Sequence, residues 1–279
     1  MKSGLTTLSV LLLISLSSNN YAGVGEPDDG AYPNVGVMIV FDLDLPDPPY
    51  VSTFCSGVLI SEVHFLTAAH CVDWIGTVAN PVIGVSFDNP AAPVIAATIP
   101  VTGYHMHPGY PPGQWVSPGS SPGPGFGLQD DLGILVLVPG YTAGLGLVPA
   151  ALPPEGYLDD LARNGGLTNK NIVNVGYGVV PTTVGPPGYF PPDGVRRVSM
   201  SRFLGLTRDY LIQRQNLPAG DEGGSAPGDS GSPKFIPGDG TRKVLSITSW
   251  GGATHRGQGI SVRVDTAESL AFINDILHR

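Results

Sequence analysis

Apolar positions along the chain fall into short runs rich in Val, Ile, Leu and Thr, separated by stretches of Pro, Gly, Asn and Asp. Runs of this kind bounded by turn-forming residues predict β-strands. A first set covers Val35 to Phe41, Thr53 to Ile60, Val63 to Ala68, Val82 to Phe87, Val94 to His105 and Leu132 to Val138. A second set covers Asn171 to Tyr177, Val195 to Leu206, Val244 to Trp250 and Ile260 to Val264. The period changes near the C-terminus. From Thr266 onward, Ala267, Leu270, Ile273, Ile276 and Leu277 recur at helical spacing, with Thr266 as N-cap and Glu268 in the first turn. The pattern predicts an all-β protein, a barrel or sandwich, with one C-terminal helix lying on a sheet.

Composition tests that reading. The chain has 39 glycines and 28 prolines, about a quarter of its 279 residues, which by itself resembles low-complexity sequence. These residues cluster between the apolar runs, so they read as turns and long loops, notably His107 to Gly127 and Pro181 to Asp193. The net charge of -9 and the lack of any Lys/Arg-rich run leave no electrostatic footprint for nucleic acid; Arg196-Arg197 is an isolated basic pair. Residues 1–22 read as a secretory signal: Lys2 gives the positive end, Leu5 to Leu16 the apolar stretch, and Ala22 the cleavage position. That stretch is too short to span a membrane, and no later segment is long and apolar enough. The expectation is an exported protein, extracellular or periplasmic.

Cys55 and Cys71 are the two cysteines. In an oxidising compartment an even count suggests a disulfide, and two separate buried thiols are the alternative. The bridge is favoured because Cys71 directly follows His70, so a crosslink there would fix the backbone carrying a candidate base. It would close a loop of about 16 residues and contribute about 3 kcal/mol by chain entropy.

Three short segments carry chemistry: Thr67-Ala68-Ala69-His70-Cys71, Asp130-Asp131-Leu132-Gly133-Ile134-Leu135 and Gly228-Asp229-Ser230-Gly231. A serine hydroxyl needs a base within reach, and the base needs a partner that orients it. Ser230 lies between glycines in a turn able to present the hydroxyl and expose backbone N–H groups. His70 has the pKa for the base. Asp131 opens an apolar strand, where a carboxylate could hold the imidazole tautomer. His105 and His107 lack further ligands and do not make a metal site.

These segments, together with Cys55, Ser249-Trp250-Gly251 and Gly259-Ile260-Ser261-Val262-Arg263-Val264, resemble the chymotrypsin/trypsin-like family of serine endopeptidases over nearly the whole chain after residue 22. The resemblance implies two antiparallel Greek-key β-barrels with a C-terminal helix, one half over residues 23–148 and the other over 149–279, with the site in the cleft between them. It favours Asp131 over Asp130, because the family places its aspartate directly before an apolar and a small residue. It implies His70, Asp131 and Ser230 as the catalytic residues, with the N–H groups of Gly228 and Ser230 as the oxyanion hole. Gly224, Ser225, Ser249, Trp250, Gly251 and Gly259 would bind substrate, and Ser249-Trp250-Gly251 would pair with the substrate backbone as an added strand.

Two departures shape the expectation. The family sets primary specificity six positions before the nucleophile, where this chain has Gly224. Without a carboxylate there, selective cleavage after Arg or Lys is not expected, although Asp221 and Glu222 lie nearby. Gly251 and Gly259 resemble residues lining an open pocket, which implies a large apolar or aromatic side chain. Family members also release an Ile-Val-Gly-Gly-like end whose amino group pairs with the aspartate before the nucleophile, here Asp229. This chain offers Ala22-Gly23-Val24-Gly25 with no basic activation site before it. Either removal of the signal segment generates that end or another group compensates Asp229. The resulting expectation is a secreted, monomeric serine endopeptidase acting on protein or peptide, with no cofactor, metal, nucleic acid or membrane. The alternatives are an inactive binding protein on the same fold and a secreted esterase using the same residues.

Overall fold

The computed structural model describes residues 25–44, 50–88, 98–113, 130–179, 194–216, 223–251 and 256–279. The expected signal segment, residues 94–97, most of the two Pro/Gly loops, and Asp221 and Glu222 lie outside these. The elements in chain order are β1 (Glu26–Pro27), β2 (Val35–Asp42), β3 (Tyr50–Leu59), β4 (His64–Thr67), α1 (Ala69–Ile75), β5 (Pro81–Ser86), β6 (Ile99–Met106) and β7 (Gly133–Leu137). The short helices α2 (Tyr141–Gly144) and α3 (Tyr157–Arg163) follow. Then come β8 (Asn171–Gly176), β9 (Arg197–Leu206), β10 (Tyr210–Asn216), β11 (Pro233–Phe235), β12 (Ser246–Gly251), β13 (Arg256–Arg263) and α4 (Ala267–Leu277).

The strands form two closed, six-stranded antiparallel barrels. The first closes in the order β2-β3-β4-β7-β6-β5. The second runs β9-β10-β13-β12-β11-β8 and closes through the β8–β9 pairing. β1 adds to the second barrel rather than the first, pairing Glu26 with Val198 and Pro27 with Arg197 on β9. Among the described residues no helix is long and apolar enough to cross a membrane.

The unbroken apolar run of β2 has a simple cause: both faces are covered. Met38 and Val40 join the main core, while Val37, Ile39 and Phe41 pack with Tyr177 at the start of the second half. α4 lies on the barrels through Phe272, Ile273 and Ile276, and its N-cap Thr266 accepts the Ser269 N–H at 3.1 Å. The second barrel buries many polar side chains. Gln213 donates to Asn174, Asn174 donates to Ser201, and Ser246 donates to Ser261. Each finds its partner on another strand of the same barrel, as burial requires.

Arg196, half of the isolated basic pair in the sequence, is buried rather than solvated. Its guanidinium bonds Asp28 at 2.7 Å, the carbonyls of Val35 (3.1 Å) and Phe87 (2.7 Å), and the Tyr177 hydroxyl (3.1 Å). One side chain at the foot of the second barrel thus holds both the N-terminal segment and the ends of two first-barrel strands.

Candidate active site

β4 runs directly into α1, which carries His70 in its first turn. Its N-cap, Ala68, has no side chain able to accept a hydrogen bond. Asp131, from the segment leading into β7, takes that role: its Oδ1 accepts the His70 backbone N–H at 2.8 Å. Its other oxygen, Oδ2, lies 2.8 Å from His70 Nδ1. One carboxylate therefore fixes both the backbone and the ring of the histidine, and the contact assigns the ring proton to Nδ1. Asp131 is completely buried, whereas the His70 side chain keeps 17% exposure. Burial opposes the imidazolium, but the Asp131 charge and hydrogen bond outweigh it, so the His70 pKa is raised above 6.5.

The neighbouring Asp130 faces elsewhere, its Oδ1 lying 3.3 Å from His107 Nδ1. His107 also accepts the Gly109 N–H and stands edge-on to Phe272. It organises the end of β6. The Cys55–Cys71 disulfide is formed, with an S–S distance of 2.05 Å, and ties β3 to the helix beside His70. Both sulfurs are engaged, so their closeness to His70 offers no thiolate for a metal.

Ser230 reaches this region because the two barrels touch closely at Ser56. The Ser56 N–H donates to the Ser230 carbonyl at 2.8 Å, and its hydroxyl donates to the Gly228 carbonyl at 2.8 Å. The same Ser56 carbonyl accepts the Thr67 hydroxyl, at the end of the strand that leads to His70. Gly231 allows the approach: its φ is +81°, and a Cβ there would sit 2.2 Å from the Ser56 carbonyl oxygen and 3.0 Å from Ala68 N. Gly228 also has positive φ, +97°. Among the described residues, the N–H groups of Gly228 and Ser230 meet no protein acceptor. Ser56, buried among ordinary strand residues, carries no sequence signal for this role.

β12 passes behind the histidine. Its register against β13 slips between Thr248 and Trp250, so Ser249 occupies a bulge. The bulge aims the Ser249 hydroxyl at Asp131 Oδ2, 2.5 Å away. Trp250 and Tyr110 pack around Ala69 and cover the His70 helix. Burial, and then the Asp131 charge, push the Tyr110 phenol up.

Asp229 ties the turn to the segment that follows β8. Its carboxylate accepts the N–H groups of Gly178 and Ala226, each at 2.8 Å. Lys234, on β11, is 2% exposed. Lys234 Nζ donates to Ser232 Oγ at 3.2 Å, and Ser232 in turn contacts Thr248. Burial pulls the Lys234 pKa down to about 8, against the attraction of Asp229. Ser232 is thus part of a polar link between Lys234 and β12.

Of the expected substrate-binding residues, Gly251 faces Gly259 across β12 and β13, and Gly224 and Ser225 lead into the Ser230 turn. The glycines do not open onto an empty apolar slot. The side chain of Gln215, from β10, lies against all three of Gly224, Gly251 and Gly259 and donates to Ser225 Oγ at 2.6 Å.

Comparison with known proteins agrees with this architecture. A family model described as Trypsin matches residues 37–273. Among solved structures, HL collagenase superposes with a TM-score of 0.61 at 15% identity, covering 92% of this chain and 98% of its own. The structure of GrC gives a TM-score of 0.60 at 18% identity, covering 92% of this chain and 99% of its own. No curated protein matches the sequence.

Proposed function

The chain belongs to the trypsin family, and from that membership we propose that it is a secreted serine endopeptidase that cleaves peptide bonds through an acyl-enzyme. The observation that carries the reading is the single buried carboxylate of Asp131 holding both the backbone and the ring of His70, next to the barrel contact that seats the Ser230 turn. In this reading Ser230 Oγ attacks the peptide carbonyl carbon while His70 Nε2 takes the hydroxyl proton. The negative oxygen of the tetrahedral intermediate is held by the N–H groups of Gly228 and Ser230. Collapse breaks the C–N bond, and His70 returns the proton to the departing amine. A water, deprotonated by His70, then attacks the acyl-enzyme and frees Ser230. Asp131 orients the ring and stabilises its protonated form; no cofactor takes part.

Substrate would lie along β12 and pair with the backbone of Ser249-Trp250-Gly251 as an added strand. Gly224 offers no countercharge, so cleavage is not selective for Arg or Lys. Export through the N-terminal segment would leave a chain starting near Gly23, and the formed disulfide suits an oxidising compartment.

The test is covalent labelling of the secreted protein by a fluorophosphonate probe, followed by turnover of peptide and ester substrates. Labelling that disappears in Ser230→Ala, with peptide turnover, is expected. An unlabelled wild-type protein would make it an inert binding scaffold, and ester turnover without peptide turnover would make it an esterase.

A further inference from the structure

Gln215 stands at the floor of the region that leads into the Ser230 turn. It is 3% exposed, on the inward face of β10. A Cβ built on Gly224 would lie 2.9 Å from its Cγ, one on Gly259 2.7 Å from its Nε2, and one on Gly251 3.0 Å from its Nε2. The carboxamide therefore occupies the space that these three glycines leave. Two of its neighbours connect directly to the chemistry. Ser225, which accepts from Nε2 at 2.6 Å, lies five residues before Ser230. Gly251 lies two residues after Ser249, whose hydroxyl rests on Asp131.

One end of this amide is unsatisfied. Gln215 Oε1 is buried and, among the described residues, meets no donor. A buried carbonyl oxygen without a partner is rare and unfavourable, because it has given up water and gained nothing in return. The group beside a cleft that can supply the missing donor is the substrate.

We propose that Gln215 determines primary specificity, and that its free carbonyl selects substrates in which the residue preceding the scissile bond ends in an uncharged hydrogen-bond donor, above all the carboxamides of Asn and Gln. The proposal rests on the endopeptidase reading. A carboxamide matches a carboxamide in either orientation of the Gln215 amide, because each presents one donor face and one acceptor face. A cation would be buried against a neutral amide and is disfavoured. A large aromatic side chain is disfavoured for a different reason: the depth it needs is filled by Gln215 itself.

Fluorogenic peptides differing only in the residue before the scissile bond test this directly. Asn is compared with its near-isostere Leu, and Gln with Met, while fluorophosphonate labelling reports reactive enzyme in each sample. Wild type is expected to favour Asn over Leu and Gln over Met by about tenfold or more in kcat/KM, since a site built around a hydrogen bond rejects analogues that lack the donor. Gln215→Met should remove both preferences. Gln215→Asn, which keeps the amide but withdraws it by one methylene, should shift preference from Asn toward Gln. A labelled wild type that cleaves Leu and Met peptides as well as their amide counterparts overturns this proposal and leaves the endopeptidase reading standing. Preferences that survive in labelled Gln215→Met overturn it equally. A wild type that is not labelled removes both.

Discussion

Ser249 Oγ lies 2.5 Å from Asp131 Oδ2, the same oxygen that contacts His70 Nδ1. The strand bulge at Ser249 brings a third donor to a carboxylate already bound by the His70 ring and backbone. Three donors on a completely buried carboxylate restrict it to one orientation, and so restrict the ring it holds. Ser249→Ala removes one of the three. It is expected to lower kcat by about 10–100-fold, in keeping with the roughly 1.5–3 kcal/mol of a hydrogen bond to a charged group, and to leave KM nearly unchanged. Steady-state kinetics on a peptide substrate would measure it; equal loss in KM would mean that Ser249 acts on substrate binding instead.

If His70 is the base of the proposed reaction, its raised pKa is expected to set the acid limb of activity. Only the neutral ring can take the serine proton, so kcat/KM should rise with pH about a midpoint above the ordinary 6.5 and fail below it. The upward shift comes from Asp131, working against burial. Asp131→Asn should therefore move the midpoint to lower pH while reducing kcat by about four orders of magnitude through loss of the correct tautomer. A midpoint unmoved by the substitution would show that another group sets the limb.

Much of the fold is legible in the sequence because apolar runs mark most strands, and Thr266 marks the start of α4 by an N-cap that the structure contains. β10 escapes that reading for a physical reason. Its buried face carries Leu211, Gln213 and Gln215, so inward and outward residues do not alternate between apolar and polar. β11 is short, and its Lys234 is buried beside Asp229. α1 lacks an N-cap of its own because Asp131, distant in sequence, supplies it. The same limit applies to the site. His70, Asp131 and Ser230 sit in recognisable local sequence, whereas Ser56, Arg196 and Gln215 matter only through what the fold brings against them.

Lys234 is expected to link pH to the shape of the Gly228 turn. Its charge faces Asp229, which holds the N–H groups of Gly178 and Ala226. With a pKa of about 8 it is charged at neutral pH and loses its proton in mildly alkaline solution. Activity is expected to fall as pH rises through that value. Stability should move the other way: between about 8 and the ordinary 10.5, the unfolded lysine still holds a proton that the folded one has released, so folding becomes more favourable with pH. Lys234→Met should cut kcat/KM at neutral pH by roughly 10–100-fold, less than the full loss of an oxyanion donor, and abolish the alkaline fall. Paired pH profiles of activity and melting temperature would check both signs; an alkaline limb retained in the variant would refute the link.

The Asp28–Arg196 pair should govern acid stability. Burial pushes the Asp28 carboxyl up, but the Arg196 hydrogen bond and charge, with the N–H groups of Tyr32 and Gly30, hold it below its ordinary 3.8. A depressed carboxylate contributes stability that is fully present above the unfolded pKa and is lost as pH falls through the folded one. Asp28→Asn leaves a buried guanidinium without this partner and is expected to cost about 3–5 kcal/mol at pH 7. Much of that loss should return in the double variant Asp28→Asn with Arg196→Met, where no charge remains to be compensated. The arginine has a second duty that bounds the recovery: it also holds the carbonyls of Val35 and Phe87, the ends of two first-barrel strands. The double variant should therefore be more stable than Asp28→Asn but less stable than wild type. Urea unfolding at pH 7 and at a pH below 3.8 would order the three proteins, and a double variant no more stable than Asp28→Asn would show that Arg196 serves chiefly the barrel contact rather than the ion pair.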